Sequence, residues 1–301
     1  MLIVACPGQG SQTPGFLSPW LELPSFATRI GEMSEAIGLD LARHGTESDA
    51  DTIRDTAIAQ PLIVAASIAS ALELKSGFAG VAGHSVGEVA AATIAGVFSL
   101  SDGIKLVKSR GDAMAEAAAL EKTSMAAVLG GEETVVLARL AELSLEPANY
   151  NGAGQIVAAG SAANIEKLAT EGIEGARVIA LQVAGAFHTS YMQSAVQKLE
   201  AFANGIVVND PKIKLWSNQA GQLVTSGNEY RDLLIGQVAN SVRWDLCMKA
   251  FTDASATAMI EVSPAGTLTG LARRAMPGVE LLALKTPDQL DAANELISNH
   301  S

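Results

Sequence analysis

The order of elements between residues 122 and 184 constrains the fold more than any other feature of this sequence. Apolar patterning there predicts strands and helices in the order β-α-β-β-α-β. The strands are "TSMAAVLG", "SLEPANYN", "GQIVAAGS" and "GARVIALQV", and the helices are "EETVVLARLAEL" and "AANIEKLATEG". This order, over about 60 residues, is that of a ferredoxin-like module. We therefore predict a small ferredoxin-like domain at residues 122–184, inserted into a larger domain.

The segments on either side of the insert alternate strand and helix patterns, which predicts an α/β architecture. "LIVAC" at residues 2–6 is a continuous apolar run that ends at a Pro-Gly pair, as in a strand buried on both faces of a parallel sheet. Pro61 opens "PLIVAASIASALEL", which predicts the first turn of a helix there. The last residues, "ANELISNHS", predict a fraying end. Residues 1–121 and 185–301 together form the predicted large domain.

Charge and cysteine content exclude several classes of function. The chain has 301 residues and a formal net charge of −12, which argues against nucleic acid and an anionic membrane as partners. Cys6 and Cys247 are far apart, so we expect two buried thiols and no metal site or disulfide framework. The start of the chain resembles a first strand more than a signal peptide, and no apolar run reaches 18 residues. We expect a cytoplasmic protein.

A serine stands in a G-x-S-x-G pattern at residues 83–87, "GHSVG", between a predicted strand and a predicted helix. A turn that exposes the serine oxygen is sterically tight, so residues without Cβ must flank Ser85. The helix that follows would aim free N–H groups at the site, and the N–H of Val86 would serve as an oxyanion donor. The alternative is a packing turn at a strand–helix junction.

A serine nucleophile needs a base, and His188 in "VAGAFHTSYM" is the candidate among four histidines. His300 lies in the tail and His44 in a polar stretch. His84 is adjacent to Ser85, and neighbouring side chains on a turn usually point apart, so we expect it to act as scaffold. From the pattern alone, a structural role for His188 stays open.

The loop "PGQG" near the start contains two glycines that allow close approach of the backbone. Dinucleotide binding is excluded, because the third glycine of G-x-G-x-x-G would fall on Thr13. No P-loop is present in the sequence, so no nucleotide cofactor is expected from these motifs.

Six motifs occur in one order: "PGQGSQ", "GHSVGE", "KSRGDAM", "NYNGAGQIV", "GAFHTSYM" and "GQVANSVRWD". Together they resemble the malonyl-CoA:acyl-carrier-protein transacylase family over essentially the whole chain. The resemblance implies an α/β-hydrolase-like large domain with a ferredoxin-like insert. It also implies ping-pong transfer of malonyl from malonyl-CoA, through a malonyl-serine, to the phosphopantetheine thiol of acyl carrier protein for fatty-acid synthesis. The CoA thioester is then a substrate, and no resident cofactor is expected.

The resemblance also implies roles for individual residues. Ser85 would be the nucleophile, and His188 its base and then the acid for the leaving thiol. The backbone N–H of Gln9 would share the oxyanion hole with that of Val86. Arg110 would pair with the free malonyl carboxylate, for which a planar guanidinium is suited. From the sequence alone, a surface arginine is the competing interpretation of Arg110.

Three further residues follow from the same resemblance. The backbone carbonyl of Gln237 would orient His188 in place of a triad carboxylate, and Asn151 would lie near the site. Phe187 would crowd a methyl branch, which favours malonyl over methylmalonyl by about 1–3 kcal/mol at most. The stretch from Val183 to Ala186 and Tyr191 depart from many family versions and would reshape the acyl pocket.

Two alternatives remain: a serine hydrolase or thioesterase with the same Ser–His pair, and a non-catalytic scaffold that binds carrier protein. We expect a monomer. We also expect an acidic carrier protein to dock near Arg273, Arg274 and Lys249, because local positive charge must offset the negative net charge of this chain.

Overall fold

The structure is a computed structural model and describes residues 1–300. Its strands are β1 Leu2–Cys6, β2 Gly80–Gly83, β3 Thr123–Gly130, β4 Glu146–Gly152, β5 Gln155–Ser161, β6 Ala176–Ala180, β7 Lys214–Leu215, β8 Val242–Arg243, β9 Ala258–Glu261 and β10 Glu280–Ala283. Its α-helices are α1 Pro24–Ile37, α2 Leu41–Thr46, α3 Thr56–Ala71, α4 Gly87–Ile94, α5 Leu100–Ala118, α6 Glu133–Glu142, α7 Ala162–Glu171, α8 Gln193–Ala203, α9 Gly227–Gln237, α10 Trp244–Asp253, α11 Thr267–Ala275 and α12 Leu290–His300.

A parallel sheet with strand order β10-β9-β1-β2-β7 forms the centre of the large domain. The side chains of β1 alternate between two hydrophobic cores. Leu2 and Val4 pack into the core that includes α3 and α5, whereas Ile3 and Ala5 pack into the core that includes α10 and α11. Because helices cover both faces, every residue of β1 is buried and apolar. The predicted α/β class is confirmed.

A second sheet with strand order β6-β3-β5-β4 is antiparallel, and it carries α6 and α7 on one face. Val136, Leu140, Ile165 and Leu168 from these helices pack into its core. Strand order and connectivity are those of the predicted ferredoxin-like module, so the predicted fold class is confirmed. The exact domain boundaries, 122–184 and its flanks, stay a prediction.

The short strand β8 extends this second sheet from outside the insert. It pairs in parallel with β4, with Asn149 opposite Val242 and Tyr150 opposite Arg243. β8 lies between α9 and α10, which belong to the part of the chain predicted as the large domain. Backbone hydrogen bonds therefore attach the segment between α9 and α10 to the second sheet, in addition to the chain crossings at either end of the insert.

Two local predictions were wrong. Helix α3 begins at Thr56 rather than at Pro61, and the Asp55 carboxylate caps it by accepting a hydrogen bond from Ala57 N–H at 2.8 Å. Nearly all of α3 is buried, so packing keeps Pro61 inside the helix. The last residues form α12 instead of a fraying end, because Leu296 and Ile297 pack into the main core.

The described part of the chain contains no helix that is both long enough and apolar enough to cross a membrane. Within residues 1–300 there is also no group of three or more His, Cys, Asp or Glu side chains placed to hold a metal ion. Cys6 and Cys247 are buried free thiols. Burial raises the pKa of both thiols well above the usual range.

Candidate active site

Ser85 occupies a sharp turn between β2 and α4, and its backbone lies in the left-handed region at φ 53°. The two flanking glycines are required by close backbone contacts. A Cβ on Gly83 would lie 1.9 Å from the carbonyl carbon of Gly87, and one on Gly87 would lie 2.2 Å from the carbonyl oxygen of Cys6. The strand and helix can therefore approach closely enough to present Ser85 only without these side chains.

The side chain of Asn218 stabilises this turn with two hydrogen bonds to its backbone. Its side-chain oxygen accepts a hydrogen bond from Ser85 N–H at 2.7 Å, and its side-chain nitrogen donates to the Gly83 carbonyl at 2.7 Å. Asn218 is completely buried, so both bonds are shielded from water. The amide therefore replaces two hydrogen bonds that the turn leaves unmade within its own backbone.

His188 meets Ser85 from the segment that follows the insert. Its Nε2 lies 2.6 Å from Ser85 Oγ, and its Nδ1 lies 2.8 Å from the backbone carbonyl oxygen of Gln237 at the end of α9. A carbonyl only accepts, so we assign the proton to Nδ1. Nε2 is then free to accept the hydroxyl proton of Ser85.

The environment of His188 keeps its imidazole neutral. Burial, together with the nearby Arg110 guanidinium, lowers its pKa to about 3, and the hydrogen bond to Gln237 acts in the opposite direction. An unprotonated imidazole is the form that can accept a proton from a serine hydroxyl. The Ser85–His188 pair is therefore in its base-ready state over the neutral pH range.

Two backbone N–H groups beside Ser85 are available for an oxyanion. Within residues 1–300, neither the N–H of Val86 nor that of Gln9 donates a backbone hydrogen bond. Gly8, which precedes Gln9, packs against His84, and a Cβ there would lie 2.8 Å from His84 Nδ1. The loop that carries Gln9 therefore lies against the turn that carries Ser85, and both residues line one cavity.

Arg110 lies on α5, is fully buried, and extends toward the same serine. Its Nη1 donates to Gln60 Oε1 at 2.7 Å, its Nη2 donates to Gln237 Oε1 at 2.8 Å, and Nη2 lies 3.5 Å from Ser85 Oγ. Its Nε has no hydrogen-bond partner. Among the described residues no carboxylate forms a salt bridge with it, so the acceptors around this buried cation are two amide oxygens and the Ser85 hydroxyl.

Burial lowers the pKa of Arg110 to about 10, and the charge of Glu88 opposes that shift. The guanidinium therefore stays charged at neutral pH. A buried charge without an ionic partner is costly, and an anion that reaches it regains much of that cost. The side chain is thus suited to bind an acyl group that carries its own carboxylate beside the reacting carbonyl.

A cavity of about 350 Å³ opens in front of Ser85 and His188. Its polar lining includes Gln9, Gln60 and His84. Its apolar lining comes from both domains: Met114, Met125, Val157, Leu181, Val183 and Phe187. A cavity of this size, apolar apart from a few convergent polar groups, is typical of a small-molecule site.

Asn151 does not contact the serine or His188. Its side-chain oxygen lies 2.9 Å from Nε2 of His84, whose ring also packs edge-on against Trp244 with centroids 5.8 Å apart. Asn151 therefore lies near the site, as predicted from the resemblance, but its hydrogen bond is to His84 and not to Ser85 or His188. Burial lowers the pKa of His84, which keeps that ring neutral.

Gln60, Glu88 and Asn218 also belong to the site and are not predicted from the sequence. Asn218 gives no usable signal, because its contacts with the turn exist only in the folded chain. Glu88 does give one, since it is a carboxylate at the start of a helix whose following residues are almost all apolar, "GEVAAATIAGV". In the structure it is 1% exposed, and burial raises its pKa, whereas the hydrogen bond from the Asn218 N–H and the charge of Arg110 lower it.

A serine on a strand–turn–helix bend, paired with a histidine from a distant segment inside an α/β-hydrolase-like fold, defines a serine-dependent acyl-transferring enzyme. The family model described as the acyl transferase domain matches residues 4–289. The chain belongs to this family, and within it to the malonyl CoA-acyl carrier protein transacylases.

Individual relatives support this placement. The malonyl CoA-acyl carrier protein transacylase of Mycobacterium tuberculosis is 50% identical over 297 residues, which are 97% of this chain and 98% of the relative. The crystal structure of MCAT from Mycobacterium tuberculosis superposes with a TM-score of 0.95 at 50% identity, covering 98% of this chain and 99% of that one. A malonyl-transacylase in complex with its type II PKS acyl-carrier protein, PlMCAT:AntF, superposes with a TM-score of 0.92 at 27% identity, covering 98% and 99%.

Proposed function

We propose that this protein transfers the malonyl group from malonyl-CoA to the phosphopantetheine thiol of acyl carrier protein, and so supplies extender units for fatty-acid synthesis. One observation carries the choice of acyl group: the buried guanidinium of Arg110, without a carboxylate partner, lies 3.5 Å from Ser85 Oγ. The names of the relatives and the complex of a related transacylase with its carrier protein support the same substrates.

In the first half-reaction, Ser85 Oγ attacks the thioester carbonyl while its proton moves to Nε2 of His188. The carbonyl oxygen becomes an oxyanion, for which the N–H groups of Val86 and Gln9 are the donors. One such donor typically lowers the barrier by about 3–4 kcal/mol. Collapse of this intermediate breaks the C–S bond, the CoA thiolate takes the proton from His188, and malonyl remains as an ester on Ser85.

The second half-reaction runs the same steps in reverse with a different thiol. The pantetheine thiol gives its proton to His188 as its sulfur attacks the malonyl ester. The new oxyanion uses the same two N–H donors, and collapse returns the proton from His188 to Ser85 Oγ. In this mechanism no carboxylate takes part, because the carbonyl of Gln237 orients the imidazole, and no resident cofactor takes part either.

Selection of malonyl follows from the charge of Arg110. A malonyl carboxylate bound there gains a charge-assisted pair in a water-poor site, whereas acetyl leaves the guanidinium without an ionic partner. The carboxylate must displace the amide of Gln60, which lines the cavity and accepts a hydrogen bond from Nη1 of Arg110. Phe187, which also lines the cavity, would crowd a methyl branch on the acyl group.

A serine hydrolase or thioesterase would use the same Ser85–His188 pair. The buried arginine beside the nucleophile favours a carboxylate-bearing acyl group, but it does not distinguish a thiol acceptor from water. The lifetime of the acyl-enzyme separates the two functions, since a transferase holds malonyl on Ser85 until a thiol arrives. A non-catalytic scaffold would bind carrier protein without any labelling by malonyl-CoA.

The test is mass spectrometry of the intact protein after parallel incubation with malonyl-CoA, acetyl-CoA and methylmalonyl-CoA. We expect rapid addition of one malonyl group, slower labelling by the other two, and release of the adduct by carrier protein but not by water. Ser85→Ala should give no adduct, while Ser298→Ala, at an exposed position on α12, should label like the wild type. Absence of a malonyl adduct on the wild-type protein would exclude the proposal.

We also propose a monomeric, cytoplasmic enzyme, in keeping with its place in fatty-acid synthesis, and no interaction with nucleic acid. The carrier protein is proposed to dock near α11, where Arg273 and Arg274 are exposed. Arg274 also donates to Gln155 of the small domain at 3.3 Å, and Lys249 pairs with Asp253 at 2.6 Å.

A further inference from the structure

Glu88 lies in the first turn of α4, directly after the turn that carries Ser85, and it does not line the cavity. Both of its carboxyl oxygens face N–H donors. Oε1 accepts from the backbone N–H of Asn218 at 2.6 Å, and Oε2 accepts a short hydrogen bond from Nε2 of Gln237. The mechanism above gives this buried carboxyl group no role.

The side-chain amide of Gln237 has one orientation that satisfies its surroundings. Its Nε2 faces three oxygens: Oε2 of Glu88, the backbone carbonyl of Ser85 at 3.1 Å and the side-chain oxygen of Asn218 at 3.3 Å. Its Oε1 faces Nη2 of Arg110 at 2.8 Å. The opposite orientation would place the amide oxygen among acceptors and the amide nitrogen against the guanidinium.

Glu88 and Arg110 therefore act on each other through Gln237. No direct salt bridge joins them within the described residues, although the charge of each shifts the pKa of the other. Since Gln237 is 6% exposed and Glu88 is 1% exposed, water has little access to replace either contact. A donor–acceptor mismatch in this chain of three groups would remain uncompensated.

We propose that Glu88 is a positioning residue for acyl-group selection: it fixes the amide of Gln237 so that the amide oxygen holds the guanidinium of Arg110 beside Ser85. This inference rests on the proposed function and adds a residue to it. Glu88 acts on the binding of the substrate carboxylate, through two other side chains, and not on the acyl-transfer chemistry itself.

Glu88→Gln tests the proposal with almost no change in size. The new amide has one oxygen and one nitrogen where both positions must accept. The backbone N–H of Asn218 is fixed, so the new oxygen stays there and the new nitrogen faces Gln237. The amide of Gln237 then turns over and presents its nitrogen to Arg110, which displaces the guanidinium from its place near the serine.

The measurement is the rate of Ser85 labelling by malonyl-CoA divided by the rate with acetyl-CoA, both followed by intact-protein mass spectrometry. We expect Glu88→Gln to lower this ratio by about tenfold or more, because a buried amide pair is left mismatched. Gln237→Met removes the same amide while leaving the backbone carbonyl that orients His188, so it should lower the ratio as well.

Glu261→Gln is the matched control. Glu261, the last residue of β9, is also a completely buried carboxylate, and it accepts hydrogen bonds from the N–H groups of Thr267, Leu268 and Thr269 at the start of α11, at 2.8–3.1 Å. It has no contact with Arg110 or Gln237. This variant should lower thermal stability while keeping the wild-type malonyl-to-acetyl ratio.

Equal losses of both rates in Glu88→Gln, with an unchanged ratio, would overturn the proposal and leave Glu88 a structural residue. An unchanged ratio in Gln237→Met would overturn it even where Glu88→Gln does not fold. Failure of the proposed function looks different, because the wild-type protein itself would then take up no malonyl group.

Discussion

Ser85 and His188 face each other from two backbones that both lie in the left-handed region, at φ 53° and 62°, with 2.6 Å between Oγ and Nε2. A non-glycine residue held in such a conformation costs of order 1–3 kcal/mol, and here the surrounding fold maintains two of them. The pair is therefore formed before substrate arrives, and no rearrangement of either backbone is needed to start the reaction.

The pH dependence of acylation follows from the lowered pKa of His188. Because that pKa is about 3, the imidazole is already unprotonated well below its usual range. We expect kcat/KM for malonyl-CoA to stay nearly flat between pH 5 and 7 as measured by initial rates. An acid limb centred near 6.5, the ordinary histidine pKa, would show that burial does not control this group.

Gly87→Ala should damage both the fold and the activity. The new Cβ would lie 2.2 Å from the carbonyl oxygen of Cys6, a backbone contact that cannot move aside. We expect a loss of about 2–3 kcal/mol in the free energy of unfolding, measured by urea denaturation, together with loss of Ser85 labelling.

Gly31→Ala provides the comparison for that variant. Gly31 lies on the exposed side of α1 and a Cβ there meets no atom within 4 Å. Because alanine favours the helix over glycine, we expect a gain of about 1 kcal/mol and unchanged labelling. Equal effects of the two substitutions would contradict the requirement for a bare backbone at Gly87.

Arg110→Ala should remove selectivity rather than chemistry. We expect malonylation of Ser85 to slow by about 100-fold or more, since a buried charge pair is lost, while acetylation changes little. The malonylation rate of Arg110→Lys should fall between those of the wild type and Arg110→Ala, because an ammonium keeps the charge without the planar two-donor geometry. Arg43→Ala, at a side chain that is 70% exposed, is the control, and a uniform loss for both acyl groups in Arg110→Ala would refute the carboxylate role.

Reversal of charge on α11 tests the docking surface. The double variant Arg273→Glu and Arg274→Glu should raise KM for acyl carrier protein by about tenfold at low salt and leave KM for malonyl-CoA unchanged. Arg43→Glu makes a charge reversal on a different helix and should change neither constant. If KM for the carrier protein does not respond to the double variant, docking lies elsewhere.

Much of the fold could be predicted from local patterns. The strand β1 reads as buried on both faces, and the insert reads as β-α-β-β-α-β, because each depends on residues close together in the chain. The helix α12 and the start of α3 could not be predicted in the same way. Leu296 and Ile297 are held by packing against distant segments, and Pro61 sits inside a helix whose burial overrides its own preference.

The residues of the site likewise fall into those that local sequence predicts and those whose contacts form only on folding. The G-x-S-x-G spacing around Ser85 carries its own geometric meaning, and the family motifs point to His188 and Arg110. Asn218 and Gln60 could not be predicted from the sequence, because their roles depend on which backbone group or side chain they contact after folding. A buried carboxylate such as Glu88 is the intermediate case, since its position in an apolar helix is visible but its partners are not.

The pairing of β8 with β4 bears on attempts to exchange the small domain between related enzymes. A graft that took only residues 122–184 would arrive without its fifth strand, and the uncovered edge of β4 would be open to pairing with other chains. The same short strand follows the end of α9, so a poorly fitted graft would also displace the Gln237 carbonyl that accepts the hydrogen bond from His188. Chimeras should therefore carry Val242 and Arg243 with the donor domain.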